Sequence, residues 1–211
     1  MALLVRFNAF YTRCYEKKPL LTLAFTNAVL GALSDILAQY FGGSTPLPPT
    51  IAATSFSVTS MIWLPDMWRL FRFVLYNFMI APLIGKWFVF LDRQFPLPQP
   101  ELSEKRAVVS SASRKKTLMI NLMRVLADQL FMAPIGLLLF FIYMPLMEGK
   151  GMDGVCERIS ESYWTALQAN YTVWPLVQFV NFCFMPLRYR VPFVSLVGVL
   201  WNGYLSWLNS K

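Results

Sequence analysis

Asn170 to Arg190 reads NYTVWPLVQFVNFCFMPLRYR, and this stretch decides the fold. It is largely apolar, yet Asn170, Trp174, Gln178 and Asn181 recur at steps of four, four and three. On a helix advancing about 100° per residue they fall within an arc of roughly 80°. One narrow polar stripe therefore runs down an otherwise lipid-compatible helix, expected over residues 165–187. Pro175 removes a backbone donor and frees the carbonyl of Tyr171, and Pro186 frees that of Phe182, so the segment is expected to kink or stop at both prolines. Arg188 and Arg190 mark its exit into water.

The whole chain is too apolar for a soluble domain: of 211 residues 56% are hydrophobic, 16% aromatic and only 14% charged. An all-α integral membrane bundle follows, with four to five embedded helices. The net charge of +8 comes from basic residues flanking apolar runs rather than forming one patch. Lipid headgroups and orientation signals explain it better than nucleic acid, which is not expected as a partner. Cys14, Cys156 and Cys183 are odd in number and widely spaced, which argues against a disulfide framework or zinc site. The chain has no histidine, so Ser-His and Cys-His catalysis are excluded. Neither enzymatic activity nor a cofactor is expected.

Reading outward gives one membrane domain, 1–211. Residues 1–18 carry Arg6, Arg13, Lys17 and Lys18 with aromatic residues at helical spacing, an interfacial amphipathic helix. A cleavable presequence is the competing reading, disfavoured because no apolar core with a small-residue cleavage site is present. Spans are expected at 20–41, 73–91 and 125–147, each near the roughly 20 residues a bilayer requires. In the first, Ala24, Ala28, Gly31, Asp35 and Ala38 share a face with Gln39 at its edge; in the second, Asn77, Ala81 and Gly85 do so. Small residues permit close helix packing, but a carboxylate near midspan, costing about 2.5–3.5 kcal/mol on insertion scales, needs a partner or water. Residues 42–49 read as a loop and 51–64 as an interfacial segment, whereas Asp66, Arg69 and Arg72 read as an aqueous rim. Residues 94–117 form a polar linker. Arg124 and Asp128, four apart at the head of the third span, suit an intrahelical ion pair. Gly-containing residues 148–154 and an amphipathic helix over 155–168 lead to the fourth span. The fifth apolar segment, 191–208, places Ser195, Gly198, Asn202 and Ser206 on one face and either crosses or lies in the interface.

Asn170, Tyr171, Trp174, Pro175, Gln178, Asn181, Phe182, Pro186, Arg190, Trp201, Tyr204, Leu205 and Ser206 resemble the C-terminal signature of the Mpv-seventeen family, also called the twenty-two-kilodalton peroxisomal membrane protein family. The resemblance extends through Tyr15, Pro19, Leu20 and Thr22, Asp35 and Gln39, Asp66, Arg69 and Arg72, Ala81-Pro82, Trp87-Phe88 and Leu91-Asp92, and Asp128-Gln129 with Ala133-Pro134. Ser34 and Ala81 stand where the family usually has glycine. It implies a pore-like role in the mitochondrial inner membrane or the peroxisomal membrane.

Two functions fit one polar stripe per helix. In a pore, the stripes line a water-accessible path, with candidates Asp35, Gln39, Asn77, Arg124, Asp128, Gln129, Asn170, Trp174, Gln178, Asn181, Asn202 and Ser206, and hinges at Pro82, Pro134, Pro175 and Pro186. In a scaffold or assembly factor, the same groups only hydrogen-bond helix to helix. A secondary transporter is disfavoured because no repeated half is visible. The lipid bilayer is the expected partner, and a homo-oligomer fits either reading. The positive-inside bias puts the N-terminal segment, the linker and Arg188–Arg190, holding 12 of the 19 basic residues, on one side.

Overall fold

A computed structural model describes residues 2–41, 65–98 and 111–209, and all its regular elements are helical. They are α1 (Ala2–Lys17), α2 (Pro19–Phe41), α3 (Met67–Gln94), α4 (Ser111–Ala127), a π-helical turn (Asp128–Met132), α5 (Ala133–Met147), α6 (Gly151–Phe184) and α7 (Leu187–Asn209). Residues 42–64 and 99–110, which include the expected loop, the interfacial segment and part of the polar linker, lie outside the described residues.

Local chemistry sets the boundaries. Asp66 caps α3 by accepting the backbone N–H groups of Trp68 and Arg69 at 2.9 and 3.0 Å, satisfying two of the donors a helix start leaves open. Gly149 and Gly151, at φ 75° and 64°, provide the turn between α5 and α6 that residues with a Cβ would resist. Pro186 sits in the break before α7, as expected, but Pro175 does not stop the helix: α6 runs through it for 34 residues. At 1.5 Å per residue α6 is about 50 Å long, well beyond a hydrocarbon core of about 30 Å.

Three helical stretches have the length and apolarity to cross a membrane: Pro19–Phe41, Met67–Gln94 and Ser113–Met147. The helix that carries the third apolar stretch begins before residue 125, and residues 111–117, expected in the linker, are helical. The chain is an α-helical membrane protein in a lipid bilayer. Outward positions along α2 such as Phe25, Val29 and Leu33 are exposed, and that row of large apolar side chains is suited to lipid.

Helix α2 is the centre, packed lengthwise on both α3 and α7. Its contact with α3 is antiparallel and close. A Cβ at Gly31 would come within 2.5 Å of Asn77 Nδ2, and one at Gly85 within 2.5 Å of Leu23 Cδ1, so glycine is what lets these backbones approach. The contact with α7 is parallel: Asn27 meets Ser195 and Ser34 meets Asn202, the same sequence offset of 168 both times. The fifth segment therefore runs beside α2 in the same direction, rather than lying across it.

Candidate functional site

The polar stripes converge on a cavity of about 600 Å³ inside the bundle, walled by α2, α3, the π turn with α5, α6 and α7. Of the residues singled out from the sequence, Asp35, Asn77, Asp128, Gln129, Asn170, Trp174, Gln178 and Asn202 line it. Gln39, Arg124 and Asn181 do not, and the side chain of Ser206 lies outside the described residues.

Asp35 stands at one end of the cavity. Its side chain is fully buried, and Arg69 Nε approaches its Oδ1 at 2.9 Å while the Arg69 side chain remains 42% exposed. Gln39 donates to Asp35 Oδ2 at 2.7 Å and accepts the Asp66 backbone N–H at 2.6 Å. The carboxylate expected near midspan is thus tied to the capped start of α3, close to an aqueous end. Arg69, read as part of a rim, reaches inward as its partner. Spacing gave no signal for this contact, because the two lie 34 residues apart on different helices.

Asp128 sits deeper. Trp87 Nε1 donates to its Oδ1 at 2.9 Å, and Gln178 and Gln129 donate to its Oδ2 at 2.9 and 3.0 Å. Asn181 donates to Gln178 Oε1 at 2.9 Å, so α3, the π turn and α6 share one hydrogen-bonded network. No ion pair to Asp128 occurs among the described residues. The expected Arg124–Asp128 pair does not form: Arg124 turns the other way, to Asp92 at 2.9 Å and the Phe95 carbonyl at 2.7 Å.

The π turn explains how Pro134 is accommodated. A proline cannot donate to the Leu130 carbonyl, and the backbone widens just before it, with the Ala133 N–H bonding back to the Asp128 carbonyl. Tyrosine hydroxyls brace the same region: Tyr171, Tyr163 and Tyr76 donate to the carbonyls of Gln129, Pro134 and Gly136 at 2.9, 3.1 and 3.2 Å. Elsewhere, Pro192 frees the Arg188 carbonyl, which accepts the Tyr11 hydroxyl at 2.7 Å and pins α1 to the start of α7. Burial pushes the Tyr11 phenol above its ordinary range, keeping it a donor.

Asn27 donates to the Asn77 carbonyl at 2.9 Å and receives the Ser195 hydroxyl, and Asn202 donates to Ser34 at 2.9 Å. The cavity wall is therefore both polar and cross-bonded. At the other end the wall becomes apolar. Leu23, Ala81, Phe88, Leu91, Val125, Phe182 and Val191 form the apolar core there. Beyond them Asp92 bridges Arg124 and Arg190, at 2.9 and 2.8 Å, with both guanidinium side chains buried. This cluster also joins the ends of α3 and α6–α7 to the head of the third span, which puts Arg190, Asp92 and Arg124 at one end of the bundle.

Comparison with known proteins gives the chain its relatives. The profile of the Mpv17 / PMP22 family matches residues 145–206. Over 208 residues the chain is 35% identical to Protein sym1 of Schizosaccharomyces pombe, covering 98% of this chain and 92% of that protein. It is 35% identical to Protein SYM1 of Gibberella zeae, at 97% and 98% coverage, and 32% identical to Protein SYM1 of Saccharomyces cerevisiae, at 95% and 89%. No solved structure matches it. With identity of this level across almost its entire length, the chain belongs to the Mpv17 / PMP22 family and is an organellar membrane protein.

Proposed function

We propose that this protein is a non-enzymatic pore for small solutes or ions in the mitochondrial inner membrane, with the peroxisomal membrane as the alternative site. The observation that carries the reading is the cavity, to which α2, α3, α6, α7 and the π turn with α5 each turn a polar stripe. Arg69 and Asp35 stand at one end, and the apolar core with the Asp92 cluster seals the other, a resting closed state. Asp128 has three donors and no cation partner among the described residues, so it leaves negative charge facing the path. That charge favours cations.

Reconstitution in planar bilayers tests the proposal. Wild type is expected to conduct, and Asp128→Asn, which keeps the shape of the side chain, should shift the reversal potential across a salt gradient toward lower cation preference. The scaffold reading has its own support in the Asp35–Arg69 pair and the Asn27, Asn77 and Ser195 bonds, which join helices without needing a solute. Folded, inserted protein that gives neither conductance nor solute flux would establish that reading instead.

A further inference from the structure

A second cavity, of about 550 Å³, opens between the α1–α2 junction and the last turns of α3. Its two walls are helical faces. Glu16, Leu20 and Leu23 lie one turn apart on one side, and Lys86, Phe90 and Arg93 do so on the other. The walls meet where Leu23 packs on Gly85, and the remaining groove faces outward, with Leu20 and Phe90 exposed.

The cations in this groove are unusual for their position. Lys86 is exposed and lies eight residues inside the end of α3, about 12 Å into an apolar helix. Among the described residues neither Lys86 nor Arg93 forms an ion pair, whereas the buried Arg124 and Arg190 at this end share the Asp92 carboxylate. An ammonium beside hydrocarbon is costly unless it reaches a headgroup or a counter-ion. Apolar side chains below two unpaired cations match a molecule with an anionic head and an apolar tail. Basic pockets between membrane helices at the positively charged side hold acidic lipid headgroups by this means.

We propose that this groove binds an anionic phospholipid, its phosphate between Lys86 and Arg93 and an acyl chain along Leu20, Leu23 and Phe90. Glu16 lowers the local charge from +2 to +1 and so sets an upper limit on the affinity. The site lies outside the central cavity, and the proposal stands whether or not the protein conducts.

The test uses the full chain purified in a non-ionic detergent, titrated with phosphatidylglycerol or phosphatidylethanolamine and followed by native mass spectrometry. One equivalent of phosphatidylglycerol should be retained more tightly than phosphatidylethanolamine, and high salt should narrow the difference. Lys86→Gln and Arg93→Gln should each weaken phosphatidylglycerol about fivefold, from the known contribution of one basic residue near an acidic lipid surface. Lys86→Arg should retain binding, and Glu16→Gln should tighten it by a similar factor. Arg158→Gln, in the first half of α6 and outside the groove, should leave it unchanged. These exposed side chains have no structural partner in the groove, and circular dichroism confirms that each variant is folded. Equal retention of the two lipids, unchanged affinity in both cation variants, weaker binding by Glu16→Gln, or displacement of the lipid by inorganic phosphate would each overturn the proposal.

Discussion

Replacing Gln178 by leucine tests the network that joins α6 to the π turn. The side chain keeps about the same bulk and the helix becomes more apolar, so membrane insertion should be intact. Two hydrogen bonds go: the one Gln178 Nε2 donates to Asp128 Oδ2 and the one its Oε1 accepts from Asn181, both 2.9 Å. Asp128 keeps Trp87 and Gln129, whereas the Asn181 amide, fully buried, loses its donor's partner. Interhelical hydrogen bonds in membrane proteins average about 0.6 kcal/mol and reach about 1.7, because the unfolded chain in lipid also finds partners. Placing the interhelical carboxylate bond at the upper value and the amide bond, which lies within α6, at about 0.6 kcal/mol, the low end for a net hydrogen bond, gives about 2.3 kcal/mol for Gln178→Leu and about 0.6 for Asn181→Leu. The amide bond is lost only once in the double variant, which should therefore cost about 2.3 kcal/mol rather than about 2.9, a coupling of about 0.6 kcal/mol. Reversible unfolding in mixed micelles, followed by circular dichroism, measures all three. Single variants as stable as wild type, or costs that add without coupling, would refute the network and turn this stripe toward lipid.

Asp92→Asn leaves two buried guanidinium groups without their shared carboxylate; the carbonyls of Phe95 and Met185 still bind them, and Asp92 is partly exposed, so the expected loss is about 1.5–3 kcal/mol. In the proposed pore the same variant should raise open probability by loosening the end that the cluster holds together, and unchanged stability with unchanged gating would count against that role. Gly31→Val should cost about 1–3 kcal/mol by forcing α2 off Asn77, measured in the same micelle assay. Gly136→Ala, where a Cβ meets nothing within 4 Å, should stay within about 0.5 kcal/mol, and equal effects at both glycines would disprove the close α2–α3 approach.

What the sequence could reveal was periodicity. Asn170, Trp174 and Gln178 share a face because helical geometry requires it, and the structure turns that face into the cavity. The polar face of α7 behaves likewise, with Ser195 and Asn202 meeting α2. Partners were harder to read. Arg124 and Asp128 have ideal intrahelical spacing, but spacing says nothing about a competitor on another helix. Asp92 offers Arg124 a carboxylate that is already at the end of the bundle, next to the free carbonyl of Phe95. At Pro175 the outcome is continuity rather than a stop: a missing N–H weakens a helix locally, while packing along the rest of α6 holds it together.

The consequence for Asp128 bears on function. Had Arg124 neutralised it, the third span would carry a compensated pair at its head and the cavity would hold only the Asp35–Arg69 pair, with no net charge. With Arg124 committed to Asp92, the carboxyl group is left to neutral donors from Trp87, Gln129 and Gln178 beside a widened backbone turn. Neutral donors stabilise a carboxylate without cancelling its field, and Gln178 and Asp128 both border the cavity. Packing accounts for the Arg124–Asp92 contact, which anchors that end of the bundle, and gives the charge left on Asp128 no further use. The proposed conduction path would use that charge, because the charge facing the solute is what selects it.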